Sequence, residues 1–259
     1  MPAGVIILWR LFSSMQQSTL QWHIGCSGFH YKEWEKLFYP EGMSPKNWFA
    51  WYCEHFSALE LNVSFYRFPE LSSLQNWYRN SPGNFYFSVK APRLITHYKK
   101  FENTKQLLDD FYNVVEKGLN NKLGCVLFQL PPQLEYSEQL LAGMLSQMNN
   151  AFTNVIEFRH SSWWRPEVYA TLSQNNICFC SISYPHLSEQ LVVTTGVVYY
   201  RFHGVPQLYA SSYSKSFLQQ VVSGTRRQPE VKQAFLFFNN TARAAAVRDA
   251  RYLQKSLSG

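Results

Sequence analysis

Charged and amide side chains recur at one kind of position in this chain. Glu60 and Asn62, Lys90, Gln129, Glu157 and Arg159, Arg201 and His203, and Asn239 all stand near the C-terminal end of a short apolar run. Brought together, they could do two kinds of work. Glu60 or Glu157 could take and return a proton, aided by His203 or by His97 on the loop after the third run. Arg201, Arg159 and Lys90 could clamp an anion, the guanidinium groups with paired N–H donors. A carboxylate beside such cations has a lowered pKa, which suits a base better than an acid. An isolated buried charge costs several kcal/mol, so each needs a partner or a ligand. Glu157 can pair with Arg159 or Arg201, and Glu60 with Lys90. The remaining positive charge is what a phosphate or carboxylate would satisfy.

Each group also has a purely structural reading. Glu157 and Arg159 suit a simple salt bridge, and His203 before Gly204 suits a hydrogen-bonded core imidazole. Gln129, just before Pro131 and Pro132, can satisfy backbone groups at a loop. Asn239 and Asn240 can be turn residues. Trp163, Trp164, Phe65, Tyr66 and Phe68 are more often packing than a stacking platform. A metal ion needs several His, Asp or Glu at close range. Only Glu60, Glu157, His97 and His203 qualify, and the neighbouring Arg and Lys would repel a cation. No metal and no cofactor is expected.

The elements that must carry these groups alternate along the chain. Residues 58–69 read as a strand, because Leu59, Leu61 and Val63 alternate with Glu60, Asn62 and Ser64. Strands are also expected at 22–27, 85–91, 124–130, 155–160, 177–183, 197–203 and 234–239. In the third, Phe85, Phe87 and Val89 share one face and Tyr86, Ser88 and Lys90 the other. In the seventh, Tyr199, Arg201 and His203 share a face. Gly25 and Gly28 imply a close backbone approach or a tight bend. Helical patterns fall between most strands. Ser44 and Pro45 start one, Ser137 caps another, 166–174 is a third, and Thr241 caps a last alanine-rich one. No helix is expected between the sixth and seventh strands, where 192–195 looks extended.

Eight strands alternating with helices in 259 residues fit one α/β fold, an irregular (β/α)₈ TIM-type barrel over residues 19–259. Active sites of that fold sit at the C-terminal ends of its strands, where the polar groups collect. An open doubly wound sheet is the rival, but GCSGFH after the first strand is not its Gly-rich phosphate loop.

Composition narrows the rest. Hydrophobic residues make up 46% of the chain and aromatic ones 17%, enough for a large core. The net charge of +7 favours anionic partners, yet no dense Lys/Arg run points to nucleic acid. Cys26, Cys53, Cys125, Cys178 and Cys180 are odd in number and lack a zinc spacing. They suit reduced, packed thiols in a cytoplasmic protein. The apolar stretch near the start is too short to cross a bilayer. Residues 1–18 read as a leader ahead of the fold, with Met15 as the natural start.

The segments IGCSGF with Tyr31 and Trp34, FYP, LELNVSFYRFP, FSVKAPRLITH, LGCVLFQLPP, VIEFRHSSWW, YYRFHG and FFNNT occur in that order. Through them the chain, from residue 22 to 257, resembles the YecE-like proteins, the family called domain of unknown function 72. The resemblance implies an irregular (β/α)₈ barrel and no established activity. It also implies family-typical polar positions at Ser27, Glu60, Asn62, Tyr66, Lys90, Thr96, His97, Gln129, Glu157, Arg159, Ser162, Trp163, Arg201, His203, Gly204, Asn239 and Asn240. The chain departs from the family pattern at Phe29, usually tryptophan, at Lys36, commonly glycine, and at Ser183, often acidic. Two functions stand open. One is an enzyme of hydrolase or isomerase type, with catalytic Glu60, Glu157, His97 and His203. Its substrate, a phosphorylated sugar or nucleotide-like anion, would be bound by Ser27, Asn62, Tyr66, Lys90, Gln129, Arg159, Trp163, Arg201 and Asn239. The alternative is either a nucleic-acid-binding or repair-related protein or a barrel that binds a ligand without turnover.

Overall fold

The computed structural model describes residues 20–257. The expected leader and the start at Met15 lie outside the described residues. Eight strands run in parallel: β1 (Gln21–Ser27), β2 (Ala58–Leu61), β3 (Tyr86–Lys90), β4 (Leu123–Gln129), β5 (Asn154–Glu157), β6 (Cys178–Ser183), β7 (Val197–Phe202) and β8 (Gln233–Phe238). Each pairs with its neighbour in the chain, and β8 returns to β1 to close the barrel.

A closed parallel sheet is buried on both faces, and that explains why these strands are apolar almost throughout. Their outward side chains meet the surrounding helices in one large core containing Leu59, Phe87, Val126, Ile156, Phe179, Tyr200 and Phe238. Their inward side chains form a second cluster containing Ala58, Cys125, Leu127, Val155, Cys178, Cys180, Ile182, Tyr199, Phe235 and Phe237. At one end His23 stacks on Phe235 and tilts against Tyr86. Toward the other end the inward positions become Ser88, Glu60, Lys90, Gln129, Glu157 and Arg201. The barrel is plugged by rings at its N-terminal end and turns polar at its C-terminal end.

The helices are α1 (Trp48–His55), α2 (Val63–Tyr66), α3 (Leu71–Asn80), α4 (Lys105–Leu119), α5 (Glu138–Leu145), α6 (Pro166–Gln174), α7 (Lys215–Arg226) and α8 (Ala245–Leu257). Ser137 accepts a hydrogen bond from Leu140 N–H, as an N-cap should. Thr241 does not cap α8. A single 3₁₀ turn, Ala242–Ala244, intervenes, with Arg243 at φ 49°. No helix separates β6 from β7. The connecting chain runs extended and bonds along β6, where Val192 N–H donates to Ser181 Oγ and Thr194 Oγ1 links Phe179 N and Ile177 O. It covers the outer face of β6 in place of a helix, with Val192 buried.

The second strand is shorter than the alternation suggests. It ends at Leu61, because Asn62 turns into helical backbone at φ −98° and ψ −10°. The Ser64 hydroxyl then bonds to Leu61 O and to Lys90 O, fastening α2 to the barrel rim. Val63, which the alternation puts on the apolar face with Leu59 and Leu61, is instead 56% exposed. A Cβ on Gly25 would fall 1.9 Å from Ala58 O, so only glycine allows β1 and β2 to approach this closely.

Candidate functional site

Strand register sets the height of each inward group. Glu60 lies level with Ser27 on β1 and Ser88 on β3, and Gln129 lies level with Glu157. Arg201 on β7 sits beside Ile182 and Phe237, and its long side chain crosses the interior. Its Nη2 reaches Glu60 Oε1 at 2.6 Å and its Nη1 bonds Glu157 Oε2. These strands are not neighbours, so the bonds exist only because the sheet closes. Tyr199 adds its hydroxyl to Glu60 Oε2, and Ser88 Oγ meets that hydroxyl at 2.7 Å.

Just past the end of β5, the Arg159 Nε bonds Glu157 Oε1. Its guanidinium lies over the Tyr184 ring at 4.2 Å. The pairing partners therefore differ in part from expectation. Arg201 and Arg159 both hold Glu157, as the spacing suggested, but Glu60 takes Arg201 and Tyr199 rather than Lys90. Both carboxylates are fully buried. Burial pushes the Glu157 pKa up, but Arg159 and Arg201 outweigh it and hold the carboxyl well below the usual range.

Lys90 is placed differently. Its Nζ donates to Gln129 Oε1 at 2.7 Å and lies 3.9 Å from the centre of the Phe65 ring. Gln129 is fixed from its other end, where its amide donates to Leu130 O. Burial, with Arg201 next, lowers the Lys90 pKa to about 7, against the opposing pull of Glu157 and Glu60. His203 is buried, and burial followed by Arg159 and Arg201 drives its pKa well down, so the ring is neutral. Its Nε2 is 3.2 Å from Arg159 Nη2 and 3.5 Å from Glu157 Oε1, and its Nδ1 is 2.9 Å from the Asn239 amide. His97, in a π-helical turn at Leu94–Tyr98, bonds Thr96 through Nδ1 and packs on Phe65. Burial, Lys90, Arg159 and Arg93 bring it down to about 4.

A cavity of about 510 Å³ opens above these groups. Of the residues expected from the sequence, Asn62, Tyr66, Lys90, Gln129, Arg159, Arg201 and Asn239 line it. Glu60, Glu157, Ser27 and His203 lie beneath its floor, without solvent exposure. Trp163 does not reach the mouth. Its indole N–H donates to Leu134 O at 2.7 Å and its ring stacks on Phe158, inside the layer between barrel and helices. A tryptophan flanking a strand end can point either way, and here the Leu134 carbonyl and the Phe158 ring decide. Ser162 likewise serves the loop, accepting from Tyr136 N–H.

Tyr31, Phe65, Tyr184, Tyr209 and Thr241 also line the cavity and were not among the expected site residues. All stand outside the strands, where no alternation marks them. Among the described residues, Arg201 Nε, Asn62 Oδ1 and Ser27 Oγ are buried polar atoms without a hydrogen-bond partner. No group of three or more His, Cys, Asp or Glu among the described residues is arranged to hold a metal ion. A further cavity of about 390 Å³, at the opposite end of the strands, is lined by Thr153, Thr195, Gly196 and Lys232 among others and gathers no comparable set of charges. No helix among the described residues is long and apolar enough to cross a membrane.

A family model described as "Protein of unknown function DUF72" matches residues 23–259. The chain is 30% identical over 155 residues to the UPF0759 protein YunF of Bacillus subtilis (strain 168), a match covering 57% of this chain and 54% of that protein. It thus spans about half the length of that relative. A crystal structure of a DUF72 family protein from Thermotoga maritima MSB8 superposes with a TM-score of 0.84 at 27% identity, over 92% of this chain and 100% of that one. A second, from Enterococcus faecalis V583, gives 0.79 at 18% identity over 92% and 96%, a likeness of fold alone.

Proposed function

The chain belongs to the DUF72 family, and on that premise we propose that the barrel mouth is an active site for a small anionic substrate, a phosphorylated sugar or a nucleotide-like molecule. One observation carries the reading. The mouth gathers Arg159, Arg201 and Lys90 around Glu60 and Glu157, and these three donor groups, with Lys90 the surplus positive charge whenever it is protonated, line a cavity of about 510 Å³. The partnerless Arg201 Nε and Asn62 Oδ1 on that wall are further groups a ligand would satisfy. A phosphate or carboxylate supplies the missing negative charge and an acceptor for Arg201 Nε, and a hydroxyl of the substrate supplies the donor that Asn62 Oδ1 lacks.

In this reading the two buried carboxylates act through Arg201, whose guanidinium they fix from both sides. Arg159 and Arg201 hold the anion and stabilise negative charge that develops on it. Proton transfer falls to Lys90, whose pKa of about 7 suits an acid or base at neutral pH. Neutral His97 and His203 tune the surroundings. Calorimetric titration with inorganic phosphate tests the reading. Binding by the wild type and at least a tenfold loss in Arg159→Gln are expected; equal binding by both proteins rejects it.

The rim favours a second reading. Arg93 lies 5.6 Å from the centre of the Tyr66 ring and 5.3 Å from that of Tyr98, and both tyrosines are exposed. Such a platform could stack the bases of a single strand. Binding of a short oligonucleotide would then fall steeply with salt. A flat response removes this alternative.

A further inference from the structure

Lys90 differs from the other cations of the mouth in its company. Arg201 and Arg159 are bonded to carboxylates, whereas among the described residues Lys90 has no ion pair. Among the described residues the one hydrogen-bond partner of its Nζ is the neutral Gln129 oxygen, and an apolar ring covers another side. The charged groups that act on it are Arg201, Glu157, Glu60 and Arg159, and it acts in turn on His97. The Phe65 face attracts a cation, but removal from water and the nearby guanidinium groups outweigh it. With one N–H committed to Gln129, a neutral amine keeps a lone pair free for the cavity it lines.

We propose that Lys90 is a nucleophilic amine that forms an imine with the aldehyde or ketone group of a small anionic substrate. The proposal rests on the anion-binding reading above and names the chemistry performed there. A lysine kept neutral by desolvation and adjacent cations is the arrangement that activates an amine toward carbonyl carbon. Arg159 and Arg201 would hold the substrate's phosphate or carboxylate and so bring its carbonyl to Nζ. The lone pair on Nζ attacks the carbonyl carbon, and the C–O bond then breaks. The oxygen departs as water with the two protons that Nζ gives up, leaving a C=N bond. No redox partner is needed.

Reductive trapping tests this. The protein is treated at pH 7 with glyceraldehyde 3-phosphate and sodium cyanoborohydride, and the product is weighed intact and peptide-mapped. A single adduct on Lys90 is expected, formed on the order of 100-fold or more faster than on exposed lysines. At that pH about half of a group with pKa 7 is neutral, against about one part in 10³ or less of an ordinary lysine. Lys90→Arg, which keeps the cation, should give no adduct while melting cooperatively. Labelling spread over exposed lysines with Lys90 not ahead overturns the proposal. A parallel arm with uncharged glycolaldehyde separates the two ideas. Trapping on Lys90 without any phosphate binding keeps the imine and rejects the anion site. Phosphate binding with no trapping by either aldehyde rejects the imine and keeps the anion site.

Discussion

The Tyr199 hydroxyl donates to Glu60 Oε2 at 2.7 Å, tying β7 to β2 across the barrel interior. Neither residue is exposed, and Ser88 completes the phenol's hydrogen bonding. Removing that hydroxyl leaves a buried carboxylate oxygen without its donor, because Arg201 bonds the other oxygen. Tyr199→Phe should therefore lose about 1–3 kcal/mol in urea unfolding. Phosphate affinity should change little, since the phenol lies below the cavity. A neutral effect on stability would mean that the interior relaxes around the gap.

Glu157 sets a pH signature. Its folded-state pKa lies below the unfolded value, so its contribution is complete above the unfolded carboxylate range, near 4.3, and is lost as pH falls through the folded value. Glu157→Gln also leaves Arg159 and Arg201 short of a partner, a loss of about 3–5 kcal/mol. The stability gap between wild type and Glu157→Gln should be widest above pH 5 and shrink in acid. A gap independent of pH would contradict the ionised pair.

For Lys90 the sign is the same, but the pH window lies higher. Its folded pKa of about 7 lies below the ordinary lysine value, so between these the unfolded chain binds more protons than the folded one. Stability from this residue therefore rises as pH increases from 7 toward about 9.5. Lys90→Met should lack that rise, and the difference between the two proteins' melting curves across this range measures it. Parallel curves would show an ordinary, solvated ammonium.

His203 should stay uncharged across neutral pH, given its burial beside two guanidinium groups. Its ring ¹⁵N and ¹³C shifts should remain those of a neutral imidazole from pH 5 to 8. Arg159 Nη2 lies 3.2 Å from His203 Nε2 and Asn239 Nδ2 lies 2.9 Å from its Nδ1, two N–H donors from which a doubly protonated ring could accept nothing. A titration near pH 6.5 would overturn this arrangement.

Trp163 separates fold from site. Trp163→Ala should cost about 3–5 kcal/mol of stability, as large core truncations do. Phosphate affinity should stay within about twofold, because the indole lies outside the cavity. A strong binding defect in a protein that still melts cooperatively would bring this residue back to the mouth.

Alternation along single strands was enough to identify the inward residues Glu60, Ser88, Lys90, Tyr199 and Arg201. A side chain's face in a strand depends only on its parity, which the sequence carries locally. Arg159 was read the same way, as part of an expected strand over 155–160, and His97 from its place on the loop after the third strand; the resemblance to a known family named both again. The same parity misled at Val63, where the strand had already ended and Asn62 had turned the backbone.

What the chain alone determined was the number of strands, the face of each inward group and the cationic excess. Only closure of the sheet decided the partners. Arg201 meets Glu60 and Glu157 from strands that never touch its own, and the distance across the barrel depends on eight registers at once. The orientation of Trp163, the solitude of Lys90 and the tyrosines of the rim were likewise tertiary facts. Packing against distant segments sets them, and no local period encodes it.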